Sequence, residues 1–539
     1  MDKKNMICTF DKAQYRIGED VRIRVPDSAA EAALRLYRLA KTIKCPFRHG
    51  GGELILCGLP EGNYGVRVET PAGSWEGAFD IVPDRRSVTR YGFLADFSPG
   101  DEDTGDVAWM RDLHLNAVQF YDWMYRHDAL LPRSDRYQDP LGRELCLHVI
   151  REKIAACKAF GMRPFAYGAV YAATQETFRQ RPEWGMYTLD GEPLMFAGWL
   201  HFMNIAAGCG WRDHLLRQYR EVVSFGFSGI HMDTYGFPKL VWDASGKPVG
   251  LSEEFAALIR DAAESVQGVD GDAGVIFNAV NNWPIETVAG APQDAVYIEV
   301  WPPNDAYYDL YKLIRDARRC AGKPVILAAY INPFQGPDAA AAERALRLAW
   351  AAISASGGTQ LVFGEGQGAL QDSYYVHYAR LRREFAPVVQ KYCDFLVRYA
   401  DLLYNDHGTD VSKTACAGIN EDVRLTHAQY SFTPDGGENS IWTILRESTD
   451  RLTMHLINLV GNNTAWNEGK NEPLLVDDIQ VCLRLDRPVT GIYCASPDDV
   501  SLCAQALPFS YEVTEQGRVY SFRLSGLRYW KAVWIEWEK

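Results

Sequence analysis

A chain of 539 residues is longer than one ordinary domain, so a large barrel carrying smaller modules is expected. Its net charge of −14, with no basic run interleaved with aromatics, argues against nucleic acid and anionic membranes as partners. No window approaches the ~20 apolar residues of a membrane span, the first twenty residues hold no apolar leader core, and twelve scattered cysteines without a CxxC pair read as reduced, buried small hydrophobes, which together predict a cytoplasmic protein.

The elements fall into three blocks. Residues 1–86 read as all-β, with Val21, Ile23 and Val25 alternating against Arg22 and Arg24 in a half-buried strand. LRLYRLA (34–40), ELILCGL (53–59) and YGVRVET (64–70) follow at a spacing that suits a small β-sandwich. Residues 87–404 change style, as short apolar runs alternate with helical patterns. Eight runs occur, at 88–97, 116–123, 163–171, 228–236, 274–282, 295–301, 324–333 and 359–366. Helices are predicted over 144–161, 211–226 and 339–357 from apolar residues spaced three and four apart. Eight strand–helix units in about 300 residues predict a (β/α)8 TIM barrel. A doubly wound sheet is the alternative, but no GxGxxG follows the first strand, and GEGQG (364–368) has the wrong spacing. Residues 405–539 return to strands, with SIWTILRE (440–447) and RLTMHLINL (451–459) as a hairpin around Ser448–Asp450, and GRVYSFRL and KAVWIEW closing a second β-sandwich.

A barrel of this kind carries its chemistry at the C-terminal ends of its strands. Those ends hold Asp96, Asp122, Tyr171, Asp233, Asn281, Glu299, Asn332 and Glu365. Side-chain alternation orients two of them. In the fourth run Ile230 and Met232 face the helices, so His231 and Asp233 face the axis. In the sixth, Val296, Ile298 and Val300 face out, so Tyr297, Glu299 and Trp301 face in. A lone strand-end aspartate is more often a turn cap. Two facing carboxylates among aromatics match glycoside hydrolysis, one attacking the anomeric carbon and the other protonating the leaving oxygen. A divalent metal on His231, Asp233 and Glu299 is the alternative, but no HxH or HExxH spacing supports it, so no metal and no cofactor are expected. The aromatic content (15 Trp, 28 Tyr) suits a sugar cleft and an ordinary core alike.

YDWMYRH (121–127), GFSGIHMDTYG (226–236), VYIEVW (296–301) and LAAYINP (327–333) together resemble glycoside hydrolase family 66, which holds dextranases and cycloisomaltooligosaccharide glucanotransferases. The resemblance implies an N-terminal immunoglobulin-like β-sandwich, a (β/α)8 barrel and a C-terminal β-sandwich. It makes Asp233 the nucleophile and Glu299 the acid/base of a retaining hydrolase of α-1,6-glucosidic bonds. It places Tyr121, Asp122 and Trp123 on the non-reducing side of the cleft, with His127 nearby. Trp123 and Trp301 are then expected to stack on glucose, and Asp122, Asn278, Asn332 and Glu365 to bond its hydroxyls, with His231 facing the same mouth. Asp122 shares an alternation face with Val118 and Phe120, so a bulge at Tyr121–Asp122 is expected to turn it inward. Ser228, His231 and Met232 depart from the family pattern. The family's glucanotransferases carry an inserted carbohydrate-binding module that no loop between 87 and 390 is long enough to hold, which favours hydrolysis. The expected partner is an oligo- or polysaccharide. A retaining hydrolase of another α-linked glycan, or a carbohydrate-binding protein on the same fold, are the rival readings.

Overall fold

The computed structural model describes residues 7–538 apart from 26–31, 72, 405–406, 417–418 and 516. The first six residues, read above for a leader, and the boundary position 405 lie outside the described residues. Near the N-terminus, alternation works as predicted. Val21 and Ile23 are buried while Arg22 and Arg24 are exposed. A four-stranded sheet (Thr9–Phe10, Val21–Arg24, Glu53–Leu56, Phe47–Gly50) faces a five-stranded one (Tyr15–Arg16, Gly73–Val82, Gly62–Thr70, Ala33–Arg38, Lys41–Ile43). Ile23, Leu36, Leu54, Val66 and Phe79 form the core they share.

The eight apolar runs become parallel strands in chain order: β1 (Tyr91–Leu94), β2 (Ala117–Phe120), β3 (Arg163–Ala169), β4 (Gly229–Asp233), β5 (Gly274–Asn278), β6 (Val296–Glu299), β7 (Val325–Ala328) and β8. β8 is two short segments. Thr359–Gln360 pairs with β7, and Phe363–Gly364 pairs with β1, so the sheet curls until its last run meets its first. Strands buried on both faces explain why the runs read as continuous apolar stretches. One face packs on surrounding helices through residues such as Val118, Ile230, Met232 and Ile298. The other encloses Tyr91, Phe165, Ile276, Tyr297 and Ile326. The predicted helices appear at Leu147–Ala159, Gly210–Phe225 and Ala339–Ala355. The first starts three residues late because Glu144–Cys146 pairs instead with Arg136–Gln138.

The C-terminal hairpin forms as expected, Ile441–Glu447 against Arg451–Asn458. Its sheet continues through Trp530–Trp537 and Val489–Ala495, and faces a second sheet over a core of Leu445, Met454, Val481, Ile492 and Phe522. The far side of that hairpin sheet, with Trp442, Trp530 and Trp534, packs into the helix layer.

Buried charges staple the blocks together. Arg90, just before β1, gives Nη1 and Nη2 to the two carboxylate oxygens of Asp80 at 3.0 and 2.9 Å, and Gln14 adds a bond to Asp80 at 2.9 Å. Arg90 is 6% exposed and Asp80 1%. Removing one member of such a pair strands the other charge away from water. Asp80→Ala is expected to lower the unfolding free energy by about 3–5 kcal/mol, read as a lower denaturant midpoint at unchanged slope. A loss too small to resolve would show that this pair does not hold the N-terminal sheets to the ring.

Candidate active site

The cleft lies at the C-terminal ends of β2 to β7 and has a volume of about 670 Å³. Asp233 ends β4, Asn278 ends β5 and Glu299 ends β6. Neighbouring parallel strands in register bring those three ends side by side. The Asn278 amide nitrogen donates to Asp233 Oδ1 at 2.8 Å and to Glu299 Oε2 at 3.1 Å. One nitrogen at those two distances bounds the separation of the two oxygens at their total, 5.9 Å. Asn278 Oδ1 accepts from the Glu299 backbone N–H at 3.3 Å, which fixes which way the amide faces. Each carboxylate also accepts from a tyrosine hydroxyl. The Tyr167 hydroxyl, from β3, donates to Asp233 Oδ2 at 2.9 Å. The Tyr330 hydroxyl, just past β7, donates to Glu299 Oε1 at 2.9 Å. Beneath them Tyr375 lies within 3.0 Å of the Tyr297 hydroxyl and 3.4 Å of the Tyr330 hydroxyl, and stacks on Tyr121 at 4.3 Å.

Eight of the eleven expected residues meet here: Tyr121, Asp122, His127, His231, Asp233, Asn278, Glu299 and Trp301 all line the cleft. Three do not. Trp123 is fully buried, gives its indole N–H to Tyr167 O and packs on Phe227 in the helix layer. Asn332 is tied by its side chain to Gln371 O, and its N–H meets Asn467 of the C-terminal block. Glu365 is buried and accepts the N–H groups of Ala95 and Asp96 at 2.7 Å each, holding β8 to the end of β1. No bulge turns Asp122 inward. β2 ends at Phe120, and Asp122 takes a left-handed backbone, φ 47°, that brings Tyr121 and Asp122 to the cleft together and sends Trp123 outward. Tyr167, Tyr330, Tyr375 and Trp199 also line the cleft, and sequence reasoning missed them. Alternation on β3, where Phe165 faces the axis, could have found Tyr167. Tyr375 and Trp199 sit in connections and carry no such signal.

Burial raises the Asp233 carboxyl above its ordinary value, and the Glu299 charge raises it further. Burial also raises Glu299, against the donors Tyr330 and Asn278. Two neighbouring raised carboxyls titrate as a pair. Burial alone keeps the His231 ring neutral, with its pKa lowered to about 3, and its Nδ1 lies 3.3 Å from the Tyr91 hydroxyl. Burial pushes Asp122 up to about 7, opposed by the Arg143 guanidinium. Arg143 itself bonds the Asp122 carbonyl at 2.9 Å.

The profile of Glycosyl hydrolase family 66 matches residues 63–534. A cycloisomaltooligosaccharide glucanotransferase of Niallia circulans is 23% identical over 88% of this chain and 64% of its own length. A dextranase of Streptococcus salivarius is 24% identical over 53% of this chain and 40% of its own. The chain thus spans under two thirds of the length of these curated relatives. The crystal structure of a Paenibacillus sp. cycloisomaltooligosaccharide glucanotransferase complexed with cycloisomaltoheptaose has the same fold, with a TM-score of 0.87 at 22% identity over 98% of this chain and 99% of that one.

A hydroxyl that donates to a carboxylate favours its charged form, so removing it raises the pKa. Tyr330→Phe is therefore expected to move the Glu299 carboxyl titration to higher pH, followed by carboxyl 13C NMR titration. A titration that coincides with that of the unaltered protein would mean Tyr330 does not support the Glu299 carboxylate.

Proposed function

Because the chain belongs to glycosyl hydrolase family 66, we propose that it is a retaining hydrolase of α-1,6-glucosidic bonds in dextran or isomaltooligosaccharides. The observation that carries this reading is the Asn278 amide shared by Asp233 and Glu299. Retaining enzymes hold their two carboxyls roughly 5–5.5 Å apart, and inverting ones roughly 6.5–9.5 Å. A bound of 5.9 Å between the two bridged oxygens fits the first class. The printed names of the relatives, a dextranase and two glucanotransferases of cycloisomaltooligosaccharides, support an α-1,6-glucan. The connection after β3, residues 170–209, holds only a three-stranded sheet and short helices, which supports hydrolysis without a large inserted module. Twelve unpaired cysteines suit the cytoplasmic site included in this reading. The reading also includes a division into an N-terminal immunoglobulin-like β-sandwich (1–86), a (β/α)8 barrel (87–404) and a C-terminal β-sandwich (405–539).

In the first step an Asp233 oxygen attacks the anomeric carbon. The bond from that carbon to the linking oxygen breaks, and that oxygen takes the proton from Glu299. A β-glucosyl ester on Asp233 results. In the second step Glu299, now ionised, takes a proton from water as the water attacks the same carbon and frees Asp233. Two inversions leave the product α. Asp122, placed in the cleft on its left-handed turn, is positioned to bond hydroxyls of the bound glucose.

Asp233→Asn is expected to lower hydrolysis of dextran by about 10⁴-fold or more with an unchanged circular dichroism spectrum. Near-normal turnover would remove Asp233 as nucleophile. Glu299→Gln is expected to abolish cleavage of oligosaccharides while sparing formation of the ester from aryl glucosides with good leaving groups. Equal loss on both substrates would count against the acid role. NMR should show the α-anomer as the first product, and a β-anomer first would overturn the retaining mechanism.

A further inference from the structure

A second cavity, of about 650 Å³, lies at the opposite end of the ring from the cleft, where β7 and β8 begin. Arg38, Arg315, Arg318, Arg319, Lys323 and Arg446 line it. Three carboxylates, Glu61, Asp401 and Asp410, line it too, so the cavity is cationic in a chain whose net charge is −14. Arg315, Arg318 and Arg319 sit three and four apart on the helix Tyr307–Cys320, a spacing at which like charges repel. Arg446 comes from the strand Ile441–Glu447, whose alternate residues Trp442 and Ile444 pack into the helix layer. Alternation turns Arg446 toward that same layer, where an apolar side chain is expected. It is 6% exposed and forms no ion pair among the described residues. Its Nη1 donates to Leu403 O at 3.1 Å. Arg318 Nη1 donates to Gly357 O at 2.8 Å and to Tyr404 O at 3.0 Å. Carbonyls orient a guanidinium without neutralising it. Gly357 shows how close the two arginines come. A Cβ there would lie 2.8 Å from Arg318 Nη1 and 3.2 Å from Arg446 Nη1, so those nitrogens are at most 6.0 Å apart, the total of the two distances. A buried cation is retained where an opposite charge compensates it, and Arg446 has a second cation beside it instead.

We infer that this cavity binds a small phosphate monoester, with its phosphate between Arg318 and Arg446 and a hydroxylated body against Asp401 and Asp410. The oxygens of one phosphate accept from two guanidinium groups at once, at about 2.8 Å each. The group carries about −1.5 to −2 at neutral pH, which matches two converging cations. The cavity is larger than a phosphate alone fills. Its carboxylates are held in place, Asp401 by Asn63 Nδ2 at 2.8 Å and Asp410 by the Tyr311 hydroxyl at 2.7 Å. Fixed carboxylates accept from hydroxyls and repel further phosphates, which selects a monoester over a polyphosphate. The lining draws on all three blocks, with Arg38 from the N-terminal sheets, Arg318 from the helix layer and Arg446 from the C-terminal sheet. A ligand that needs all three stabilises the folded chain by mass action. Nothing in this site depends on the chemistry assigned to the cleft.

The test is isothermal titration calorimetry of the full chain with glucose 6-phosphate and with adenosine 5′-monophosphate, with glucose as the uncharged control. At least one ester is expected to bind at one site per chain and to raise the unfolding temperature, where glucose does neither, and the tighter of the two identifies the body as sugar or nucleoside. Arg446→Met, which keeps the bulk and removes the charge, is expected to weaken that binding about 10-fold or more. Arg319→Gln, at an exposed position that the fold does not rely on, is expected to weaken it about 3-fold. Absence of binding by both esters, an affinity that both variants leave unchanged, or displacement by isomaltotriose, which would put the ester in the active-site cleft, overturns the site.

Discussion

The Asn278 amide is the constraint around which the cleft is arranged. Two carboxylates cannot be enclosed at close range unless donors offset the loss of water and their mutual repulsion. One side-chain nitrogen serves both, and its position is fixed because the same side chain accepts the Glu299 N–H. Further donors come from the neighbouring strands, and they include two tyrosines, Tyr167 and Tyr330. A buried tyrosine hydroxyl in turn wants partners of its own. That requirement leads to Tyr375 and Tyr297, and by stacking to Tyr121. The aromatic upper interior of the ring therefore follows from its two charges, not from a general preference for sugars.

Strand alternation made the centre of this arrangement readable from the sequence. On β4 and β6 the outward residues Ile230, Met232, Val296 and Ile298 join the helix-layer core, and Asp233 and Glu299 meet in the cleft. The eight runs and the flanking β blocks were readable for the same reason, since burial on one or two faces leaves its period in the sequence. The failures came where backbone geometry or distant pairing decides. The left-handed backbone at Asp122 reverses the alternation that would have kept Trp123 in the cleft. Glu365 and Ala95 are 270 positions apart, and only closure of the ring makes the N–H groups at the end of β1 need that carboxylate. Asn332 is turned aside by a loop of the C-terminal block. None of these constraints has a local period to betray it.

The two halves of the cleft are supported differently, and the C-terminal block explains one of them. The connections after β6 and β7 carry Trp301 and Tyr330, which both reach Glu299. A loop at 464–467 braces both. Tyr307 N–H bonds Thr464 O at 2.9 Å, the Trp466 indole bonds Asn304 O at 2.7 Å, and Asn332 N–H bonds Asn467 Oδ1 at 2.8 Å. Trp466 is itself buried in the main core, so this brace is anchored and does not ride on a free loop. The Asp233 half is held from within the ring and its own connections. Its stiffness comes from the local stack of Phe196 on Tyr235 and from Tyr167. The Glu299 half is thus tied to a separate sheet system, while the Asp233 half, with Trp199 at its lip, rests on the connections after β3 and β4. Changes in those connections can therefore alter the cleft wall beside Asp233 without touching the brace that holds the Glu299 side.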